Sequence, residues 1–323
     1  MEKELKKKIF DKKILFSILS FVISSLIILI IFLFNKMNGK DYLVIRSDFF
    51  ESIGFYKEAI RSIFNHDSLF FNFSSGLGLN NIMAVSGLFT PFNLLYLILN
   101  RVDFDLVTAI IIILKIGFAS LSFQIFSMHT LKNDKISSVV ISVFYSLNAF
   151  TIEYGTVQNG WLEALIVLPI LCSSIMESIE NNKRVNMIIL YSYLFISNFY
   201  MGYVIGGFSF IFVILYFIFK YRTKTDNKYK EIFKQFFNWI LGVLIAIMLS
   251  AFIWIPTLFF LASNRVPDST EIVSINSSLL QILNSLFWGM DYGIEGTYSY
   301  IYCGIPVLIL FPLFFCNNNI ENK

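Results

Sequence analysis

Apolar residues fall into long blocks separated by short polar connections. The blocks run at about 14–34, 104–127, 136–152, 161–179, 185–201, 203–219, 235–262 and 298–316. The first, ILFSILSFVISSLIILIIFLF, is about 21 residues long, enough for a helix to cross about 30 Å of hydrocarbon. Within the blocks apolar and polar residues do not alternate, which argues against a transmembrane β-barrel. A segment surrounded by lipid must satisfy its own backbone, so each block predicts a helix. The pattern therefore predicts an all-α polytopic membrane protein, a single multi-span domain over 1–323 with about eight spans.

The segment between the first two blocks has a different rhythm. It contains VIRSDFFESIGFYKEAI at 44–60, where Phe49, Phe50, Ile53, Tyr56, Ile60, Ile63 and Phe64 recur at helical spacing. Glu51, Lys57, Glu58, Arg61 and Ser62 fill the other side. This predicts an amphipathic helix lying in the headgroup layer. A Gly/Ser/Asn loop, FNFSSGLGLNN, follows. LFTPFNLLYLIL at 88–99 is apolar but about 12 residues long, too short to span, and reads as a re-entrant or interfacial piece.

Charge placement sets the orientation. The chain is 56% hydrophobic and 15% charged, against about 25% charged in soluble domains. Its net charge of +3 is too small to indicate nucleic acid. MEKELKKKIFDKK carries six lysines, and 220–234 carries Lys220, Arg222, Lys224, Lys228, Lys230 and Lys234. The short connections 128–135 and 180–184 carry Lys132 with Lys135 and Lys183 with Arg184. By contrast 153–160 has no Lys or Arg, and 263–297 has only Arg265. The positive-inside rule then places 1–13 and the tail 317–323 in the cytoplasm. It places the loop 35–103 and the loop 263–297 outside, with 14–34 as first span, 104–262 as spans two to seven and 298–316 as eighth. The first block is too long for a signal-peptide core and lacks a small-residue cleavage site, so it reads as an uncleaved anchor.

Chemistry-bearing residues are few. Asp48 and Glu51 have capping-box spacing, although Asp is not its usual Ser/Thr member. A carboxylate there suits the positive end of a helix, and the same position suits a catalytic base. Lys115 sits near mid-membrane in IIIILKIGFAS, at a cost of roughly 2.5–3.5 kcal/mol on insertion scales. It must face the bundle interior, either as a structural ion pair or as an anchor for phosphate or substrate. Glu163 lies a few residues into the fourth span and pairs with Lys115 if the second and fourth spans touch. Trp161 reads as an interfacial anchor. Arg46 and Arg265 are either snorkelling interfacial charges or bidentate phosphate ligands. Asp48 is thus the catalytic candidate, and Arg46, Glu51, Lys115, Glu163 and Arg265 are the candidates for holding substrate. Cys172, Cys303 and Cys316 form no CxxC pattern, and His66 and His129 fall on opposite sides of the membrane. No acidic cluster demands a metal and no cofactor is called for; a divalent metal stays open.

A series of segments then carries a resemblance. In order these are SDFFESIGFYKEAI, FSSGLGLN, TPFNLLYLIL, LKIGFASLSFQIF, FYSLNAF, NGWLEALIVLPIL, SNFYMGYVIGGFSFIFVILYF, LSAFIWIPTLFFLAS and YIYCGIPVLILFPLFF. Together they resemble bacterial YfhO-type membrane proteins, among the C-fold glycosyltransferases. The resemblance implies an enzyme of the bacterial cell membrane that takes a sugar from an undecaprenyl-phosphate carrier on the outer face. A cell-envelope polymer such as teichoic acid is the implied acceptor; membrane lipid is a further partner and nucleic acid is not. In C-fold enzymes the catalytic carboxylate lies in the first outer loop, where Asp48 stands. The family's WLDA reads Trp161-Leu162-Glu163-Ala164 here, one methylene longer at the acid. Family members usually run longer, with more spans and a C-terminal outer domain, so the resemblance implies a truncated N-terminal portion. A non-catalytic assembly partner or a transporter of envelope precursors is the alternative, although transporters often carry internal repeats and none is visible here.

Overall fold

The computed structural model describes residues 2–39, 47–68, 71–72, 78–80, 87, 90–133, 135–222, 228–263, 286 and 304–316; side chains in 2–11, 47–53 and a few other positions are outside that description. Helix α1 (Glu2–Met37) takes in the lysine-rich start as well as the first apolar block. The amphipathic segment is α2 (Ser47–Asn65). The loop after it contains a two-residue antiparallel ladder, β1 (Phe71–Asn72) with β2 (Leu79–Asn80). Gly78 has φ +119°, and a Cβ there would lie 2.6 Å from the Phe71 ring, so this small hairpin needs glycine. The short apolar piece holds α3 (Leu94–Ile98).

The remaining blocks give α4 (Phe104–His129), α5 (Ile136–Ser146), α6 (Ala149–Tyr154), α7 (Leu162–Asn181) and α8 (Val185–Ser197). They continue as α9 (Phe199–Lys220), α10 (Lys228–Leu249), α11 (Ala251–Ser263) and α12 (Ile305–Cys316). Among the described residues five helical stretches are long and apolar enough to cross a membrane: 12–37, 104–129, 159–181, 199–220 and 229–249. Of the expected eight, 136–152 is broken and 185–201 is shorter, while 298–303 at the start of the last lie outside the described residues. Polar side chains that cap a new helix within an apolar block account for two of the breaks. Asn148 interrupts the 136–152 block, and its side chain accepts from the Thr151 N–H at 2.9 Å. Asn198 moves the expected boundary near residue 202 upstream. Its backbone is extended, and its side chain accepts from the Met201 N–H at 2.9 Å. Helix α8 is left with 13 residues, about 20 Å of rise. The 235–262 block divides at Ser250.

Several helices turn large apolar side chains outward, unlike those of a soluble protein. Ile14, Leu15, Ile30 and Phe34 of α1, and Ile211 and Phe219 of α9, face outward, and no residue of α12 is buried. Large contiguous apolar surfaces of this kind suit lipid. Polar residues bridge the helices along part of the α1–α4–α5 seam. Ser146 bonds Ser24 at 2.9 Å. The Gln124 amide donates to Ser138 at 2.8 Å and its carbonyl accepts from Ser142 at 2.9 Å. In lipid such bonds and small side chains hold helices together, because apolar contact alone favours neither protein nor lipid. At Gly117 a Cβ would press on Ser25 and come within 2.7 Å of the Phe21 ring, so α1 and α4 approach closely there.

Apolar clusters organise the rest. Ile28 and Phe32 of α1 meet Ala109, Ile112 and Ile116 of α4. Leu171 and Ile175 of α7 meet Met187, Tyr191 and Leu194 of α8, with Val213 of α9 and Ala246 of α10. A third cluster joins Ala59 of α2 to Tyr96 of α3 and to Val107 and Ile111 of α4. It docks the amphipathic helix on the corner between α3 and α4.

Candidate functional site

Lys115 and Glu163 come together. The second and fourth apolar blocks pack as α4 against α7, and Lys115 Nζ stands 3.2 Å from Glu163 Oε1. The two side chains are 0% and 1% exposed. Charges this deep require partners, and the surroundings supply them. Lys115 Nζ also donates to the Asn159 carbonyl at 3.2 Å and lies 5.9 Å from the centre of the Phe92 ring. Glu163 Oε2 accepts from the Tyr193 hydroxyl of α8 at 2.5 Å. Local structure sets the geometry: a 3-10 turn at Asn159–Trp161 leads directly into α7, leaving Glu163 in the first turn. The positive end of the helix dipole favours a carboxylate there.

The network extends outward through neutral groups. The Asn159 side-chain amide donates to the Tyr96 hydroxyl at 3.3 Å. Thr108 donates to the Phe104 carbonyl at 2.8 Å, so Tyr96 donates to the Thr108 hydroxyl at 3.0 Å. Tyr96 is 2% exposed, and burial pushes its phenol up to about 12, which keeps it a donor at neutral pH. Its ring stacks on Phe104 at 4.5 Å and on Tyr56 of α2 at 5.8 Å. Burial, Tyr96 and then Glu163 likewise raise the Tyr56 phenol. A continuous path of ion pair, hydrogen bonds and ring stacking thus joins α8, α7, α4 and α3 to α2.

Helix α2 carries the other candidates. It begins at Ser47, so Asp48 is a first-turn residue rather than the residue before the helix, and Glu51 follows three positions on. The unpaired N–H groups of a first turn favour acids. From residue 48 to residue 56 the helix rises about 12 Å, the axial separation between Asp48 and the stacked tyrosine. The side chains of Asp48 and Glu51 lie outside the described residues, as do Arg46 and Arg265 altogether. Trp161 stacks with Tyr200 at 5.4 Å and contacts Tyr154 at 4.9 Å. Among the described residues no group of three or more His, Cys, Asp or Glu is placed to hold a metal ion, and Cys172 and Cys316 are free thiols.

Sequence reasoning missed Asn159, Tyr96, Tyr193 and Thr108. Ionisable residues stand out in an apolar chain, whereas neutral hydrogen-bonding residues do not; the chain holds 16 tyrosines. The one available signal was Asn159 two residues before the Trp-Leu-Glu segment, where a mid-membrane lysine needs oxygen acceptors.

The family model described as bacterial membrane protein YfhO matches residues 20–323. No curated protein and no solved structure matches the chain.

Proposed function

The chain belongs to the YfhO family of bacterial membrane proteins, and on that premise we propose that it is a membrane glycosyltransferase. It moves a sugar from an undecaprenyl-phosphate carrier to a cell-envelope polymer such as teichoic acid at the outer face. The N-terminus is cytoplasmic in this reading, and eight spans form a C-fold architecture. The observation that carries it is the buried path from Lys115 and Glu163 to Tyr56. It ties α2, with Asp48 in its first turn and Glu51 just beyond it, to the membrane-embedded bundle.

The carrier phosphate is already a good leaving group, so the acceptor hydroxyl is the weak partner. Asp48 takes the hydroxyl proton as the acceptor oxygen bonds to the anomeric carbon. The bond from that carbon to the carrier oxygen breaks, and its electron pair leaves with the polyprenyl phosphate. A neighbouring negative charge stabilises the oxocarbenium-like transition state, and Glu51 contacts the sugar. Arg46 and Arg265 stabilise the departing phosphate. Lys115 and Glu163 neutralise each other and act from behind as a supporting pair.

Membranes given a labelled undecaprenyl-phosphate sugar test the reading, with label followed into wall polymer. Asp48→Asn should lower transfer by roughly 10²–10⁴-fold with unchanged protein level and membrane insertion. Full transfer by that variant rejects the assignment. The helix breaks at Asn148 and Asn198 favour a second reading, a transporter of envelope precursors, since interrupted helices are common in transporters. Carrier-linked label that crosses the membrane without entering polymer identifies that activity.

A further inference from the structure

Helix α2 and the corner between α3 and α4 border a half-open cleft of about 360 Å³, which neither Lys115 nor Glu163 lines. Its depth follows from the sequence around it. The apolar stretch of α4 begins at Phe104, so Leu99 to Asp103 lie where that helix leaves hydrocarbon. The opposite wall is the amphipathic α2. The cavity therefore sits at headgroup level.

Its charged lining is divided between the two walls. Helix α2 contributes Lys57 and Arg61, and the α3–α4 corner contributes Asp103. Arg61 is already held by Glu58, with Nε donating at 2.9 and 3.0 Å. Lys57 Nζ lies 5.1 Å from the centre of the Phe104 ring. Among the described residues Lys57 and Asp103 form no ion pair, with each other or with another side chain. Asp103 is the N-cap of α4, yet its carboxylate makes no capping hydrogen bond. One cavity is thus lined by a cation and a carboxylate that do not neutralise each other. A purely anionic ligand meets Asp103 unfavourably, and a purely cationic one meets Lys57 and Arg61. A ligand carrying both charges is complementary to both walls.

We propose that this cleft binds the headgroup of a zwitterionic phospholipid. The phosphodiester lies against Lys57 and Arg61, and the primary ammonium donates to Asp103. The glycerol and first acyl carbons lie on Ile60, Leu99 and Phe104. Tyr96 lines this cleft as well as belonging to the buried path, but the lipid assignment uses none of the residues given a role in sugar transfer and does not depend on that reading.

The full-length chain in detergent, titrated with defined lipids and read by native mass spectrometry, tests the site. Phosphatidylethanolamine should be retained several-fold better than phosphatidylglycerol of the same acyl chains, and better than phosphatidylcholine, whose quaternary amine has no N–H to donate. Lys57→Ala should weaken phosphatidylethanolamine by about 2–5-fold, the range of an exposed charge pair. Asp103→Asn keeps a side chain competent to cap α4. It should weaken phosphatidylethanolamine by a similar factor and improve phosphatidylglycerol, so the preference between them collapses. Asp103→Glu should retain the preference and guards against a folding defect. Equal retention of the three lipids by the unaltered chain, or an unchanged preference in Asp103→Asn, overturns the proposal. Free phosphoethanolamine binding as tightly as the intact lipid overturns the lipid assignment.

Discussion

The buried pair of Lys115 and Glu163 makes a quantitative prediction. Lys115→Met leaves a carboxylate at 1% exposure with only the Tyr193 hydroxyl for company. Glu163→Leu leaves an ammonium at 0% exposure with one carbonyl and the face of Phe92. Removing one member of a buried pair costs about 3–5 kcal/mol, whereas replacing both with apolar residues is neutral or stabilises by about 1–4 kcal/mol. One local correction applies. The double variant strands the Tyr193 hydroxyl, at about 1–3 kcal/mol. The Asn159 carbonyl still accepts from the Leu162 N–H. The double variant should therefore lie within about 3 kcal/mol of the unaltered chain, although the singles sum to about 6–10. Adding Tyr193→Phe to the double should restore about 1–3 kcal/mol. Equilibrium unfolding in mixed micelles, followed by circular dichroism, measures all five proteins under one condition. Singles within about 0.5 kcal/mol of the unaltered chain, or a double equal to their sum, would show that the pair does not act as a unit.

Asn198→Ala should cost about 0.5–2 kcal/mol in the same assay, with Asn198→Asp recovering most of it, because the side-chain oxygen caps α9. Gly117→Ala should cost about 1–3 kcal/mol by forcing α1 away from α4. Gly242→Ala should cost less than about 1 kcal/mol, because the first atom its Cβ would meet is the mobile end of Met187. Asn159→Ala should raise amide hydrogen exchange across residues 54–64, since it cuts the bond from Asn159 to Tyr96; unchanged exchange there would remove Asn159 from the support of α2.

Much of the architecture was legible along the chain. The apolar blocks give the helices, the rhythm of Phe49 to Phe64 gives α2, and the expense of a lysine at mid-membrane demanded the partner that Glu163 provides. The breaks were less legible. Asn148 and Asn198 lie inside runs that hydropathy reads as continuous or divides elsewhere, because a cap is a hydrogen bond at one residue and leaves little trace in a windowed average. The extension of α1 back to Glu2 was hidden for the opposite reason, since lysine is a good helix former that a polarity scale scores as loop.

Composition alone determined that lipid is the solvent and that an isolated charge inside the bundle needs a counter-charge, because desolvation penalises an ion wherever the chain places it. Only the tertiary structure decided how that counter-charge is held. Tyr193, Asn159, Tyr96 and Tyr56 lie on different elements, and each is unremarkable in sequence. Packing α7 against both α4 and α8, and docking α2 on the corner between α3 and α4, brings their polar atoms within bonding distance. Hydrogen bonds and ring stacking act over a few ångströms, so residues far apart along the chain join one network only after the helices have met.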